Sequence, residues 1–491
     1  MKKIIILTLT ILCSAYAMAQ KETAWWHFGY YSGLNFNNHE TATASDGTVM
    51  TDLPEPVVGP IYTNEGCFTV STYDGQLLFS SDGTTVYDKN NNVMTNGTGL
   101  LGGNSSTQSG IAIPKPGSTT EYYVVTVSQD HIPNGIRYST IDISKYGGLG
   151  EVVSKNNIIK TGVVDENIAA VPNDNGEDYW LIHRTGQTFY IWAITASGIS
   201  STPHQTLTST AISTAFASYV GEIILSSDYK RLVACNWTGQ QIISADFNPA
   251  TGFISGIRAK TVGPTIFRVF GGAFSPNNEY VYIATGYTHG ANLAKLYYST
   301  WANLIAGGGL IFLRDDISNV RKGMDNRLYG IYMAGNTSPT KHLYVITNPD
   351  NGGTDIKYFP NYLKEPACFG LPSFAAGFIR IKPTEQPFAC AAHDRTYSVE
   401  IDLAGGNIPS KLEWYFGDGS ARIMQTVTSS QSKYSQVYSY NNGGVYTIEV
   451  TPIKADGTKL KTITMEANIV YCTLKTNRMT RSDLLNSKQQ Q

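Results

Sequence analysis

The sequence predicts an all-β protein, a seven-bladed β-propeller followed by a β-sandwich, and three observations carry that prediction. A strand-turn-strand unit recurs, its turns falling at Asp74-Gly75, Pro116-Gly117, Asn175-Gly176, Asp228-Tyr229, Asn277-Asn278 and Asp325-Asn326, spaced by 42, 59, 53, 49 and 48 residues. That is close to the period of propeller blades, where each repeat is a small sheet that cannot bury its face alone. Only 15% of residues are charged, while Gly and Tyr number 47 and 31, the balance of a turn-rich β protein. Beyond residue 387 the repeat gives way to plain apolar alternation.

Residues 1–19 have the form of a secretory signal peptide: Lys2-Lys3, an apolar run from Ile4 to Leu12, and small residues at Ala17 and Ala19. The expected mature start is Gln20. Cys13 follows Leu12, where lipid attachment wants a small residue, so a soluble exported chain is expected, not a lipid-anchored one. No later segment has the ~18–20 uncharged apolar residues of a membrane-spanning helix. Without Lys2 and Lys3, 34 basic face 38 acidic side chains, a net of −4. No electrostatic footprint for nucleic acid or an anionic membrane follows from that balance.

Residues 20–380 hold the repeats. Small or apolar first strands (Gly66 to Val70, Gly110 to Ile113, Ile168 to Val171, Ile223 to Leu225, Gly272 to Phe274) precede the turns, and small residues suit strands crowded around an axis. Bulkier second strands follow, such as Gln76 to Phe79 and Tyr280 to Ile283. Third and fourth strands at Gly135 to Asp142 and Gln240 to Phe247 complete four-stranded blades. A seventh first strand at Gly370 to Gly377 lacks companions, and Ala24 to Gly29 with Gly33 to Phe36 supply them. The last blade is therefore expected to join both ends of the domain, leaving no open edge. Six or eight blades remain open at this level. One helix-compatible stretch lies around Tyr298 to Ala306.

Residues 381–387 form a proline-bearing linker. In residues 388–472, Tyr397, Val399 and Ile401, then Leu412, Trp414 and Phe416, then Tyr446, Ile448 and Val450 alternate with polar neighbours, the pattern of half-buried strands in a sandwich. Residues 473–491 are polar and expected to be disordered. Five cysteines remain after signal removal, an odd number. Cys390 and Cys472 bracket the sandwich, and Cys67 and Cys368 stand near the two ends of the repeat region. Disulfides Cys390–Cys472 and Cys67–Cys368 are expected, although connectivity is not deducible from sequence.

Trp414-Tyr415-Phe416-Gly417-Asp418-Gly419-Ser420 and the later Val437 to Ile448 resemble the signatures of PKD domains, immunoglobulin-like modules of cell-surface proteins, over about Pro387 to Cys472. Tyr415 stands where that family has Asp, and Gln436 where it often has His; neither position is catalytic there. Trp26-His27-Phe28-Gly29, Gly33 to Phe36, Asn64 to Cys67, Ser81-Asp82-Gly83, Asn96 to Leu100, Ser105 to Gly110, Pro114 to Gly117 and Gly370 to Phe374 are similar to exported propeller-plus-PKD proteins of Bacteroidetes, described as gliding-motility or type IX secretion associated surface proteins. The resemblance implies adhesion or binding at the cell surface, the outer membrane or outside the cell. Many relatives carry further PKD modules and a sorting domain, absent from this sequence.

No Gly-x-Ser-x-Gly elbow occurs, and His39-Glu40 is followed by Thr43 where a zincin has its second His. Ser80 to Tyr87 departs from the Asp-box of sialidase-like propellers, and a β-turn accounts for Asp82-Gly83. Asn173, Asn175 and Asp178 are closely spaced oxygen donors that could wrap calcium, as could Asp350 to Asp355, but tight turns demand the same residues. No other cofactor is expected. Residues heading the inner strands are the main candidates for a ligand site at the channel rim: Glu65, Gln108, Glu166, Glu222, Arg268 and Arg321. Two function classes follow. One is a non-enzymatic binding protein with surface proteins or glycans as partners and the sandwich as spacer or contact module. The other is a glycan hydrolase or lyase in which Glu65 and Glu166 act as acid and base.

Overall fold

A computed structural model describes residues 21–72, 75–173, 175, 178–214, 219–237, 239–262, 268–286, 294–333, 339–375, 381–383, 389–401, 409–428, 431, 433–460 and 462–471. Residues 1–19, read from sequence as a signal peptide, most of the segment read as linker, Cys472 and residues 473–491 lie outside them. The protein is all-β, with one short helix, Trp301–Ile305, and one 3-10 turn, Pro349–Asn351, among the described residues. The helix starts where Thr300 caps it, its hydroxyl accepting from Asn303 N. It is shorter than the stretch expected from sequence because residues 295–300 extend a strand.

From Trp25 to Phe359 the chain makes successive antiparallel meanders. Trp25–Phe28, Tyr30–Thr43 and Val49–Tyr62 form a three-stranded sheet. Phe68–Ser71 and Gly110–Pro114 each open a four-stranded meander, and one parallel pair, Thr95 with Glu151, joins the outer strands of these two. Ala169–Pro172, Ile223–Leu225, Val269–Phe274 and Ile317–Lys322 open the next sheets. Each opening strand touches the one before it, so these strands form the inner layer.

Apolar clusters sit between neighbouring sheets, because each sheet has two faces to bury and only its neighbours to bury them against. Val125, Ile136, Leu181 and Trp192 fill one such interface, and Ile191, Phe189, Leu232 and Phe247 the next. Around the whole array the last contact returns to the first sheet: Trp26, Phe28, Leu34 and Phe36 pack with Tyr329, Leu343 and Phe359. Trp26 and Tyr329 meet edge to face at 5.9 Å. The first and second sheets share a polar seam instead, His27 N donating to Thr69 Oγ1 at 3.1 Å and His27 Nδ1 lying 3.2 Å from Ser80 Oγ.

The two ends of the repeat region meet, by a different route from the one expected. Residues 370–375 do not pair with Trp25–Phe28; Ser373 bridges Phe68 in parallel and donates its N–H to Cys67 O at 2.8 Å. Pro372 supplies no N–H, which breaks any continuous ladder through this segment. The sheet expected to combine both termini is thus built from Trp25–Phe28, Tyr30–Thr43 and Val49–Tyr62 alone.

The expected Cys67–Cys368 disulfide is not formed: both are free thiols. They share one apolar cluster, but the Cys368 thiol faces Asn64 Oδ1 at 3.8 Å while Cys67 is wholly buried. Cys390 is disulfide-bonded, and its expected partner Cys472 lies outside the described residues.

The C-terminal region is two sheets around one core. Ile381–Pro383, Arg395–Ile401 and Lys433–Tyr438 form one; Ala389–Cys390, Lys411–Tyr415, Ile423–Thr426, Gly444–Ile453 and Ile463–Val470 form the other. Residues 381–383, read from sequence as linker, belong to the first sheet, where Ile381 pairs Ile401 and Pro383 ends the strand. Val399, Ile401, Leu412, Trp414, Phe416, Ile448 and Val450 are buried as their alternation requires, whereas Tyr446 is half-exposed. Phe416 stacks on Tyr438 at 3.8 Å, and Tyr440 Oη donates to Phe416 O at 2.8 Å. Asp418 accepts from Tyr438 Oη at 2.6 Å, a structural use of the Gly417-Asp418-Gly419 turn.

Candidate functional site

The residues heading the inner strands divide by what holds their polar atoms. Gln108 staples three sheets: its Oε1 accepts from Ile168 N at 3.1 Å and Ile223 N at 2.9 Å, and its Nε2 donates to Ile223 O at 3.2 Å. An amide can do this because it carries both donors and an acceptor. The Glu166 carboxylate accepts from Thr107 N at 2.9 Å, Thr107 Oγ1 at 3.0 Å and Asp130 N at 2.7 Å. Burial nonetheless raises its pKa, with those three donors opposing the shift. Glu222 accepts from Arg321 at 2.8 Å and Asn319 Nδ2 at 2.9 Å. All three side chains are buried and committed to holding the ring.

Glu65 and Arg268 are arranged differently. They line one cavity of ≈ 400 Å³ together with Tyr30, Asn64, Trp237, Phe270, Cys368 and Phe369. Glu65 Oε2 is buried and has no hydrogen-bond partner among the described residues. Desolvation, and then the charge of Glu166, push the Glu65 pKa up to about 8, so the group is mostly a neutral acid at pH 7. The Arg268 guanidinium lies 5.2 Å over the Trp237 ring. Tyr30 Oη donates to Asn64 Oδ1, and the Tyr30 ring stacks on Tyr62 at 4.4 Å. Burial also pushes the Cys368 thiol up to about 11, which keeps it unreactive at neutral pH.

A second opening of ≈ 200 Å³ lies toward the C-terminal ends of the inner strands, lined by Gln108, Ser226, Ser227, Arg321, Lys322, Ser373 and a largely apolar wall. Lys322 Nζ donates to Ser227 Oγ at 2.7 Å, and burial lowers its pKa.

Of the six rim candidates, then, the structure brings Glu65 and Arg268 to one cavity, places Gln108 and Arg321 along the other, and ties up Glu166 and Glu222. Glu65 and Glu166 are close enough to interact electrostatically, but both Glu166 oxygens already accept hydrogen bonds. Sequence reasoning missed Tyr62, Asn64 and Trp237. For Tyr62 and Asn64 the signal was position, three residues and one residue before Glu65. The buried ion pair of Asp165 with Arg184, at 2.8 Å, was also missed and had no local signature.

The calcium candidates are turn residues. Asn173 Oδ1 accepts from Asn175 N at 3.0 Å, Asn175 Oδ1 from Asp178 N at 3.0 Å, and Asp178 Oδ2 from Asn175 Nδ2 at 2.8 Å. Oxygens engaged this way fit an Asx-turn; Asp174 and Glu177 lie outside the described residues. Asp350 Oδ1 accepts from Asn277 N, and Asp355 pairs with Lys357 at 2.8 Å. Among the described residues no cluster of three or more His, Cys, Asp or Glu could hold a metal. Asp82, in the stretch compared with the Asp-box, caps its own turn by accepting from Thr84 N and Thr85 N.

No family model and no curated relative matches the chain. Among solved structures, it is similar to the periplasmic gluconolactonase of Pseudomonas aeruginosa, at 12% identity and a TM-score of 0.32, covering 71% of this chain and 97% of that one. The β-propeller domain of Swd1 from Myceliophteria thermophila is 12% identical with a TM-score of 0.36, covering 68% and 95%. Apo AztD from Citrobacter koseri is 12% identical with a TM-score of 0.37, covering 72% and 87%. Likeness at this level does not transfer an activity.

Proposed function

We propose that this is an exported, non-enzymatic binding protein that recognises surface proteins or glycans through the Glu65–Arg268 cavity. The propeller reading is of seven blades, the N-terminal three-stranded sheet being the last, and it makes a rigid platform. The C-terminal sandwich is read as a PKD-like, immunoglobulin-like spacer or contact module, in keeping with the propeller-plus-PKD resemblance. No helix of the described residues is long and apolar enough to cross a membrane, which is compatible with export to the cell surface or medium. One observation carries the reading: among the described residues one carboxyl, Glu65, lines the cavity together with the Arg268 guanidinium, while Glu166 and Glu222 are spent on fixed hydrogen bonds. Such a set can grip a polar ligand but lacks the second available carboxylate that glycoside hydrolysis uses.

The test is a panel of polysaccharides and peptides offered to the full mature chain, reading both binding and turnover. Binding without turnover, weakened in Arg268→Ala, is expected. The second reading, a glycan hydrolase or lyase, draws on the raised pKa of Glu65, which suits a general acid at neutral pH. Turnover abolished in Glu65→Gln would establish it and displace the first.

A further inference from the structure

The cavity does not stand alone at its mouth. Tyr62 is 54% exposed and Tyr31 47% exposed, and their rings are in contact, so they form one accessible aromatic surface. Tyr62 lies against both tyrosines that open the strand Tyr30–Thr43: nearly parallel to Tyr30, with 11° between the planes at 4.4 Å, and tilted against Tyr31 at 5.4 Å. Consecutive residues of a regular strand point to opposite faces, so one ring could not meet both. The backbone is irregular to make it so: Tyr31 has φ +68°, and the pairing with the strand Val49–Tyr62 shifts register between Tyr30 and Ser32. A bulky side chain in the left-handed region is strained, and such strain and bulges recur where a side chain is re-aimed for use.

Tyr30 links this cluster to the cavity, because it lines the cavity wall while its hydroxyl holds Asn64 and its ring supports Tyr62. Glu65, Asn64 and Arg268 line the cavity and supply a carboxyl, an amide and a guanidinium, and the second Glu65 oxygen, Oε2, is buried behind the wall with no hydrogen-bond partner among the described residues. We propose that the ligand is a carbohydrate chain, one sugar ring laid on Tyr31 and Tyr62 and the next inserted toward Glu65 and Arg268. This rests on the binding reading above and narrows it to one ligand class.

The chemistry favours a sugar because a pyranose has an apolar C–H face for an aromatic plane and a rim of hydroxyls for the carboxyl, amide and guanidinium. A neutral Glu65 can donate to one hydroxyl oxygen and accept from another. The ≈ 400 Å³ cavity falls in the usual ~300–1,000 Å³ range of small-ligand sites. Nucleic acid is disfavoured by the net charge of −2 of the whole sequence.

The mature chain and its variants Tyr31→Gly, Tyr62→Ala and Tyr62→Phe should be titrated calorimetrically with neutral and uronate oligosaccharides and with a peptide library. Glycine accepts the left-handed backbone, so Tyr31→Gly removes the ring without a folding cost and its melting temperature should not fall. At least one oligosaccharide should bind the wild type. Tyr31→Gly and Tyr62→Ala should each weaken it about tenfold, and Tyr62→Phe should retain it. Saccharide binding indifferent to the tyrosines overturns the proposed site. Binding of peptides alone, lost in Arg268→Ala, overturns the carbohydrate assignment and leaves the binding reading standing. Absence of any binding overturns both.

Discussion

Glu222, just before the inner strand Ile223–Leu225, and Arg321, on the inner strand Ile317–Lys322, meet at 2.8 Å although two complete four-stranded sheets lie between them in the chain. Asn319 donates to the same carboxylate oxygen. The pair joins two sheets inside the ring, with the Glu222 side chain 1% exposed. Truncating one member of a buried pair leaves the other charge uncompensated, which costs about 3–5 kcal/mol. Glu222→Ala is therefore expected to lose that much stability in urea denaturation. A loss below about 1 kcal/mol would show that Arg321 has another partner.

Glu65 should make stability depend on pH in the opposite sense to an ordinary carboxylate. Its pKa is about 8 in the folded chain and 4.5 ordinarily, so between these values the native state holds a proton that the unfolded state has released. Its contribution is fully present below about pH 4.5 and is lost as pH rises toward 8. Glu65→Gln, which cannot ionise, should melt higher than wild type at pH 8 by several °C, at about 2–4 °C per kcal/mol. At pH 4.5 the two should melt together. An equal difference at both pH values would mean that Glu65 is not buried as a neutral acid.

Ring closure hangs on a backbone contact with no room for a side chain. A Cβ at Gly370 would collide with the carbonyl oxygen of Glu65, a backbone atom that cannot rotate away. Gly370 N also donates to Asn64 O at 3.2 Å. Gly370→Ala should push the closing segment off residues 64–67 and lower the melting temperature by roughly 5 °C or more, on the scale of other severe backbone substitutions. Gly47→Ala, at a turn where nothing lies within 4 Å but φ is +86°, isolates backbone strain alone and should cost about 1 kcal/mol. Equal losses in the two variants would refute steric closure at Gly370.

Free and bonded sulfurs can be told apart by mass. Alkylation in denaturant without reductant should label Cys67, Cys235 and Cys368 and leave Cys390 unlabelled until a reductant is added. Alkylation without denaturant should label none of the three, since all are buried. A Cys67–Cys368 cross-link in the unreduced digest would contradict the structure.

Local chemistry explains what the sequence by itself determined. Turn residues such as Asp228-Tyr229 and Asn277-Asn278, and apolar runs such as Tyr280 to Ile283, specify strands and their breaks through backbone preference and side-chain periodicity, which act over a few residues. The four-strand units, the all-β class and the alternation of Leu412, Trp414 and Phe416 were legible for that reason. Only the tertiary structure decided the rest, because it depends on which distant groups share a buried space. Gln108 and Glu222 looked like rim residues until Ile223, Asn319 and Arg321 were placed against them. Glu65 has the same composition of neighbours in sequence as many surface glutamates, and becomes a neutral acid through burial beside Glu166. The closing segment pairs through Ser373 with Phe68, and Tyr31 turned out of line to set its ring against Tyr62. The first kind of information is written in residue type; the second arises when desolvation and packing assign each polar atom a partner or leave it without one.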